Sequence, residues 1–252
     1  MMCPFLAFRR KKGIIEERGD LMPKVIFLDV DDTLLSFDGY VREAMQTGFE
    51  KFGLLPYEDW MFSVFTENND ALWRKIEDGD LTLEELRKIR WNLIFGKLGI
   101  VFDGPTFETF FGAHLYDSAI PEHGALELLE HLYGKYVLCA ASNGPYEQQV
   151  HRLAIAGMLP YFDEIFVSEN IGASKPSKEF FDEAFLRLNK DREMPFTPKD
   201  ALMLGDSLSS DMAGGRTYGM QTCFYNRKSE TVLPENKPDY VVTSLDEVKN
   251  FF

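Results

Sequence analysis

Three aspartates stand within four positions in one short segment of the chain. The segment "VIFLDVDDTLL", residues 25 to 35, carries Asp29, Asp31 and Asp32, and Thr33 follows directly. Carboxylates a few ångströms apart repel one another, and burying them costs free energy. We therefore expect a cation close to this segment.

Further polar residues follow three other apolar runs. Ser142 and Asn143 end one run, Lys175 follows the next within "SENIGASKPS", and Asp206 ends the last, with Asp211 five residues on. Ligands of an open parallel sheet bind just beyond the carboxyl ends of its strands. If these runs are parallel strands, the polar residues share one edge of the sheet.

Each of these residues taken singly also has a structural interpretation. An Asp after a strand is often a turn or cap residue, which we favour for Asp32 or Asp211 alone. The pair Ser142 and Asn143 also fits the start of a helix, and a lone Lys175 fits a solvated surface. Their succession at four strand ends favours a shared site.

Phosphoryl transfer through an aspartyl-phosphate is the chemistry that uses such a set. A carboxylate attacking a phosphate dianion needs a divalent cation to neutralise charge and align the groups. We predict Asp29, Asp31 and Asp206 as metal residues, since Mg²⁺ prefers oxygen ligands. Asp29 is the expected nucleophile. Asp31 is the expected general acid and base, which protonates the leaving oxygen and then deprotonates water.

The phosphate oxygens also need hydrogen-bond donors. We expect these from the Ser142 hydroxyl, the backbone N–H groups after Asn143, and the Lys175 ammonium. Asp211 is expected to orient Lys175 or a metal-bound water. Thr33 is a further supporting residue.

The elements that must position these residues are strands and helices in alternation. Apolar runs at 24–30, 136–142, 164–168, 201–206, 220–226 and 239–244 predict strands. Most are apolar throughout, as in a sheet covered on both faces, and amphipathic stretches lie between them. The alternation predicts a Rossmann-like α/β core with a parallel sheet and right-handed crossovers.

One interval, from about 39 to 119, has only helical patterns. It is too long for a simple crossover between two strands. We therefore predict an α-helical cap domain at 37–119, inserted into a core formed by 22–36 and 120–252. Phe37 and Asp38, where the chain enters the cap, are the predicted hinge.

Composition restricts the partners of the protein. The chain has 252 residues, 45% of them hydrophobic, and a formal charge of −14. Such a surface does not attract nucleic acid polymers or anionic membranes, so we expect a small phosphorylated metabolite as partner. The three cysteines are too few for a disulfide framework, and we expect a cytoplasmic protein that is a monomer or a homodimer.

The first 21 residues are a separate case. We expect that "EERGD" is a translated ribosome-binding site and that the natural protein begins at Met22. The alternative is a flexible basic arm. The segment does not resemble a secretory signal, because its apolar patch is short and precedes its basic cluster.

The motifs "DVDDTL", "SN", "KP" and "GDSLSSD" resemble those of the haloacid dehalogenase (HAD) superfamily in order and spacing. The resemblance implies a HAD-like core, a helical cap after the first motif, and Mg²⁺-dependent phosphohydrolase activity. The second aspartate of the first motif, Asp31, resembles the phosphatases rather than the dehalogenases.

The cap segment "NDALWRKIEDGDLTLEELRKIRW" resembles that of the YjjG-type pyrimidine 5′-nucleotidases. This implies hydrolysis of a nucleoside monophosphate such as UMP, dUMP or TMP. Asn69 and Trp73 lie four residues apart on one helical face, where an amide and an aromatic plane could meet a base. The alternative is that Trp73 belongs to the cap core and Asn69 is solvated.

Two other functions fit parts of the pattern. The same chemistry could serve a phosphatase of sugar phosphates or phosphoglycolate, or a β-phosphoglucomutase-like mutase. A receiver-like signalling module also combines acidic residues, Mg²⁺, a hydroxyl and a lysine. Receivers are shorter, lack a helical insertion, and carry their phosphoacceptor on the third strand, where this chain has "IFVSEN".

Overall fold

A six-stranded parallel sheet forms the centre of the fold in a computed structural model, which describes residues 22–233 and 237–252. Its strands are β1 (Val25–Leu28), β2 (Val137–Ser142), β3 (Glu164–Val167), β4 (Ala201–Gly205), β5 (Gln221–Tyr225) and β6 (Tyr240–Val242). Their order is β3-β2-β1-β4-β5-β6. The predicted α/β class is confirmed. The predicted extension, residues 1–21, lies outside the described residues.

Strand β1 is buried on both faces, which explains its unbroken apolar sequence. Val25 and Phe27 pack into one hydrophobic cluster of the core, and Ile26 and Leu28 pack into another on the opposite face. This follows from the alternation of side chains along a strand. The strand pairs in parallel with β2 on one side and β4 on the other.

Four helices lie between β1 and the next core helix, in the interval predicted as the cap. They are α1 (Phe37–Lys51), α2 (Asp59–Glu77), α3 (Leu83–Leu98) and α4 (Gly104–Asp117). A capping box of Thr82 and Glu85 begins α3. Aromatic residues around Trp91 pack the helices together. The ring centroids of Trp91 and Phe107 lie 4.3 Å apart.

The helices of the core are α5 (Ala125–Leu132), α6 (Tyr146–Ile155), α7 (Ser168–Ile171), α8 (Lys178–Asn189), α9 (Ala213–Tyr218) and α10 (Leu245–Val248). The segment before α9 is a π-helical turn, Leu208–Met212, which continues directly into that helix. Among the described residues, every helix is too short or too polar to span a lipid bilayer.

The two connections between the core and the α1–α4 helices run side by side. The N–H of Ser36 donates to the carbonyl of Ile120 at 2.7 Å, and the N–H of Glu122 donates to the carbonyl of Leu34 at 2.9 Å. The domain boundaries at 36/37 and 119/120, and the hinge at Phe37 and Asp38, stay predictions.

Candidate active site

The order of the strands places Asp29 at the centre of the carboxyl edge of the sheet. Asp29 follows β1, and the neighbouring strands β2 and β4 lead to Ser142 and Asp206. The backbone N–H of Asp29 donates to the Leu204 carbonyl at 2.9 Å, which ties the first residue after β1 to β4. Residues far apart in sequence thus meet because their strands are adjacent.

Each of the three crowded aspartates has a cation beside it, and Lys175 is the cation beside Asp29. Its ammonium donates to Asp29 Oδ1 at 2.7 Å, to Asp211 Oδ1 at 2.6 Å and to the Ala141 carbonyl at 2.6 Å. These contacts use all three of its donors. The side chain is buried, which alone would lower its pKa, but the two carboxylates raise the pKa of Lys175 above its usual value.

Asn143 holds the backbone around Lys175. Its Oδ1 accepts from the Lys175 N–H at 2.8 Å, and its Nδ2 donates to the Lys175 carbonyl at 3.0 Å. The side chain of Asn143, a predicted phosphate-binding residue, therefore holds the lysine loop. It also lines the cavity described below.

Three carboxylates converge beside Lys175 in a geometry that fits a divalent cation. Asp29, Asp206 and Asp211 each place one oxygen within 4.8 Å of the others. Hard oxygen ligands of this kind suit Mg²⁺. A Cβ atom at Gly205 would lie 2.1 Å from Asp211 Oδ2, so glycine is required at the end of β4 for this approach.

Burial makes the charged forms of these aspartates costly. It raises the pKa of Asp29 to about 7, with Lys175 opposing the shift and Asp211 adding to it. Burial also raises the pKa of Asp206 well above its usual value, and Asp32 and Asp29 add to that effect. A bound divalent cation would offset this excess of negative charge.

Asp31 lies outside this group of carboxylates and is held by helix α6. Its Oδ1 accepts from Arg152 Nη1 at 2.5 Å, and its Oδ2 accepts from Gln149 Nε2 at 2.6 Å. Its side chain keeps 32% of its accessible surface, whereas that of Arg152 keeps 1%. The partners of Asp31 are thus buried while its carboxylate still faces the cavity.

Asp32 uses its carboxylate oxygens to hold the loop between β1 and α1. It adopts a positive φ of 61°, and its Oδ1 accepts from the Asp38 N–H at 2.9 Å. Its Oδ2 pairs with Arg227 at 2.7 Å. Burial and the neighbouring Asp38 raise the pKa of Asp32 to about 7, although Arg227 opposes the shift. Thr33, also predicted here, is fully buried, and its hydroxyl has no partner among the described residues.

A cavity of about 220 Å³ lies between this edge of the sheet and the α1–α4 helices. Its core side includes Asp29, Ser142, Lys175 and Asp206, and its cap side includes Asn69 and Trp73, among other residues. Trp73 is partly exposed and lies outside the aromatic cluster around Trp91. Both predicted cap residues therefore line the same cavity as the predicted nucleophile.

A buried ion pair in the cap fixes the amide of Asn69. Arg90 contacts Glu108 through two bonds, at 2.5 and 3.0 Å, and Arg90 Nη1 donates to Asn69 Oδ1 at 3.1 Å. Because arginine only donates, the amide oxygen must face Arg90. The Asn69 NH₂ group, which has no partner among the described residues, is left available to a ligand.

Sequence reasoning missed the buried partners of the site. Gln149 and Arg152 hold Asp31, Arg90 and Glu108 hold Asn69, and Arg227 holds Asp32. One signal was available, because Gln149 and Arg152 are polar residues one helical turn apart on the face of α6 that carries the buried Leu153.

Comparisons with known proteins identify the family of the chain. The family model of the haloacid dehalogenase-like hydrolases matches residues 23–219. The HAD-hydrolase YfnB of Bacillus subtilis is 32% identical over 225 residues, which cover 89% of this chain and 93% of YfnB. The crystal structure of YfnB bound to magnesium superimposes with a TM-score of 0.82, over 91% of this chain and 98% of that one.

Two further relatives are named for their substrates. Pyrimidine 5′-nucleotidase PynA of Streptococcus pneumoniae is 30% identical over 89% of this chain and 93% of its own length. Pyrimidine 5′-nucleotidase YjjG of Escherichia coli is 30% identical over 89% of this chain and 95% of its own length. The chain therefore belongs to the haloacid dehalogenase-like hydrolases and is an enzyme of that family.

Proposed function

We propose that the enzyme is a Mg²⁺-dependent phosphomonoesterase that works through an aspartyl-phosphate on Asp29 and acts on pyrimidine nucleoside monophosphates. One observation carries the proposal of phosphatase chemistry. The Asp29 carboxylate lies at the floor of a cavity with the Lys175 ammonium 2.7 Å away and with Asp31 and Ser142 on the same walls. A nucleophile, an acid and base, and phosphate donors are thus together.

In the first step, an Asp29 oxygen attacks the phosphorus and the ester oxygen leaves with a proton from Asp31. The Ser142 hydroxyl donates to a phosphate oxygen, and the positive charge of Lys175, which stays hydrogen-bonded to Asp29, stabilises the negative charge of the phosphate oxygens. In the second step, Asp31 takes a proton from water, which attacks the phosphorus and releases phosphate and free Asp29. When Mg²⁺ is held by Asp29 and Asp206, it supplies the neutralising charge that lets an anion approach a phosphate.

The cap side of the cavity supports a nucleoside as the leaving group. The Asn69 NH₂ group can donate to a carbonyl oxygen of a pyrimidine, and the Trp73 ring offers a flat surface to the base. The names of PynA and YjjG favour the same substrate class. A small cavity also fits a diffusible metabolite better than a polymer.

A panel of phosphate esters with purified protein tests the proposal. We expect phosphate release from UMP, dUMP and TMP that requires Mg²⁺ and stops with EDTA. The panel includes ribose 5-phosphate, phosphoglycolate and β-glucose 1-phosphate. Higher kcat/KM for one of these than for every nucleotide would overturn the choice of substrate, and absence of release from all esters would overturn the phosphatase assignment.

A further inference from the structure

Gln149 joins two of the groups that act on the substrate. Its Nε2 donates to Asp31 Oδ2 at 2.6 Å and to Ser142 Oγ at 2.8 Å. The side chain is fully buried. The position of the Gln149 amide is therefore fixed, because a buried N–H group without a hydrogen-bond partner would cost free energy.

Arg152 determines which way the Gln149 amide points. Arg152 Nη1 donates to Gln149 Oε1 at 3.1 Å, and arginine has no acceptor, so the oxygen must face it. The NH₂ group then faces Asp31 and Ser142. Arg152 is itself buried and is anchored by its Nε, which donates to the Ser118 carbonyl at 2.9 Å.

The network makes Ser142 a donor toward the cavity. Its Oγ accepts from Gln149 Nε2 and also from the Gly144 N–H, at 3.0 Å. With both acceptor positions of the hydroxyl used, its own hydrogen is left for a ligand. A Cβ at Gly144 would lie 2.6 Å from Gln149 Nε2, so the approach of the amide requires glycine there.

The same network fixes Asp31 without using up its carboxylate. Gln149 and Arg152 each contact one oxygen. A carboxylate has about four acceptor sites, so a site on each oxygen stays open to exchange a proton with substrate or water. Positioning of this kind matters for catalysis because proton transfer requires hydrogen-bond distance.

We propose that Gln149, oriented by Arg152, is a positioning residue that holds the general acid and base Asp31 and the phosphate donor Ser142 in one rigid unit. The inference rests on the proposed phosphatase function, but it does not depend on which alkyl phosphate is the natural substrate. It assigns a role in catalysis to two residues of α6 that do not line the cavity and whose hydrogen bonds go to neither Asp29 nor Asp206.

A comparison of two esters with different leaving groups distinguishes this role from a purely structural one. An alkyl ester such as UMP needs a proton on its leaving oxygen, whereas the nitrophenolate of para-nitrophenyl phosphate leaves without one. Loss of Ser142 positioning slows both esters, but loss of Asp31 positioning slows the first transfer only for UMP. We expect Gln149→Met to lower kcat/KM for UMP on the order of tenfold more than for para-nitrophenyl phosphate, within the range of general acid catalysis.

A double-mutant cycle with Asp31→Asn completes the test. In the Asp31→Asn background, Gln149→Met should lower kcat/KM for both esters equally, because there is no acid left to position. Gln149→Glu keeps the shape of the side chain and its contact with Arg152 but places an acceptor against Asp31, so it should change the ratio at least as much. Gln149→Glu also tests the inference if Gln149→Met does not fold. Gln46→Met, on the exposed face of α1, is the control and should change neither rate.

An unchanged ratio of the two kcat/KM values in Gln149→Met and Gln149→Glu, at a wild-type melting temperature, would overturn the inference. Full additivity of Gln149→Met and Asp31→Asn in kcat/KM for UMP would do the same. The wild-type rates test the proposed function separately: if UMP is not a substrate, ribose 5-phosphate or another alkyl ester that the enzyme hydrolyses replaces it.

Discussion

At the scale of single residues, the site is built around negative charge that the protein does not fully neutralise. Asp29, Asp206 and Asp211 converge on one point, and Lys175 serves two of them. Asp206 has only a distant ion pair, with Arg227 at 3.8 Å, among the described residues. We therefore expect the fold to be more stable when a divalent cation is bound.

The raised pKa of Asp29 predicts how stability depends on pH without metal. The folded value is about 7 and the ordinary value is 3.8, so the folded state holds a proton that the unfolded state has lost. The stabilisation is present below pH 4 and disappears as the pH rises through 7. In EDTA we expect the melting temperature to fall from pH 5 to pH 8, and Asp29→Asn to flatten this fall.

Added Mg²⁺ at pH 8 should raise the melting temperature of the wild type and have a smaller effect on Asp29→Asn. Thermal unfolding at four pH values, with EDTA or Mg²⁺, measures both effects. A wild type that gains stability from pH 5 to pH 8 in EDTA, with the same slope in Asp29→Asn, would contradict the prediction.

The amide of Asn69 predicts a selective effect on nucleotides. Replacing Asn69 with Leu removes the NH₂ donors and should lower kcat/KM for UMP by about fivefold to tenfold, the value of one hydrogen bond of about 1 kcal/mol. The rate with para-nitrophenyl phosphate should change little. Asn68→Leu is a matched control one position along α2, because the Asn68 amide donates to the Val64 carbonyl instead. Equal losses in both variants would refute a specific role for Asn69.

At the scale of elements, the loop after β5 joins the core to the start of the cap. Arg227 contacts Asp32 at 2.7 Å and Asp38 at 2.9 Å, so one guanidinium bridges the first core loop and the first turn of α1. The neighbouring Lys228 contacts Asp38 at 3.3 Å but is more exposed. We therefore expect the stability of the fold to depend more on Arg227 than on Lys228.

Replacing Arg227 with Met should reduce the free energy of unfolding by about 3 kcal/mol, because it leaves the largely buried carboxylate of Asp32 without its ion-pair partner and removes one of the two cations beside Asp38. Lys228→Met should cost less than about 1 kcal/mol, as expected for an exposed ion pair. Urea denaturation of both variants measures the difference. Similar free energies for the two variants would mean that Arg227 does not hold the loop.

The strands and the residues at their ends can be predicted from the sequence, whereas the partners of those residues cannot. Apolar runs such as the one before Asp29 predict buried parallel strands, and the strand-end rule then brings Asp29, Lys175 and Asp206 together. Gln149 and Arg152 contact Asp31 from more than a hundred positions away along the chain. Only the packing of α6 against the first loop reveals that contact.

At the scale of the whole molecule, we propose that the core binds the phosphate group and the α1–α4 helices contact the rest of the substrate. Under the proposed function, residues at the sheet edge act on the phosphate group, and the α1–α4 helices place Asn69 and Trp73 at the same cavity. Two connections, paired through Ser36 and Ile120, join the parts. Closure of such a cap excludes water and lets the leaving group determine specificity.

The proposed chemistry depends most on Asp29 as the nucleophile. The most direct measurement is the Mg²⁺-dependent hydrolysis of para-nitrophenyl phosphate by Asp29→Asn, together with its circular dichroism spectrum and melting curve. We predict a rate equal to that of a reaction without enzyme, in a variant that is fully folded. A folded Asp29→Asn enzyme that still turns over this ester at an appreciable fraction of the wild-type rate would contradict the account.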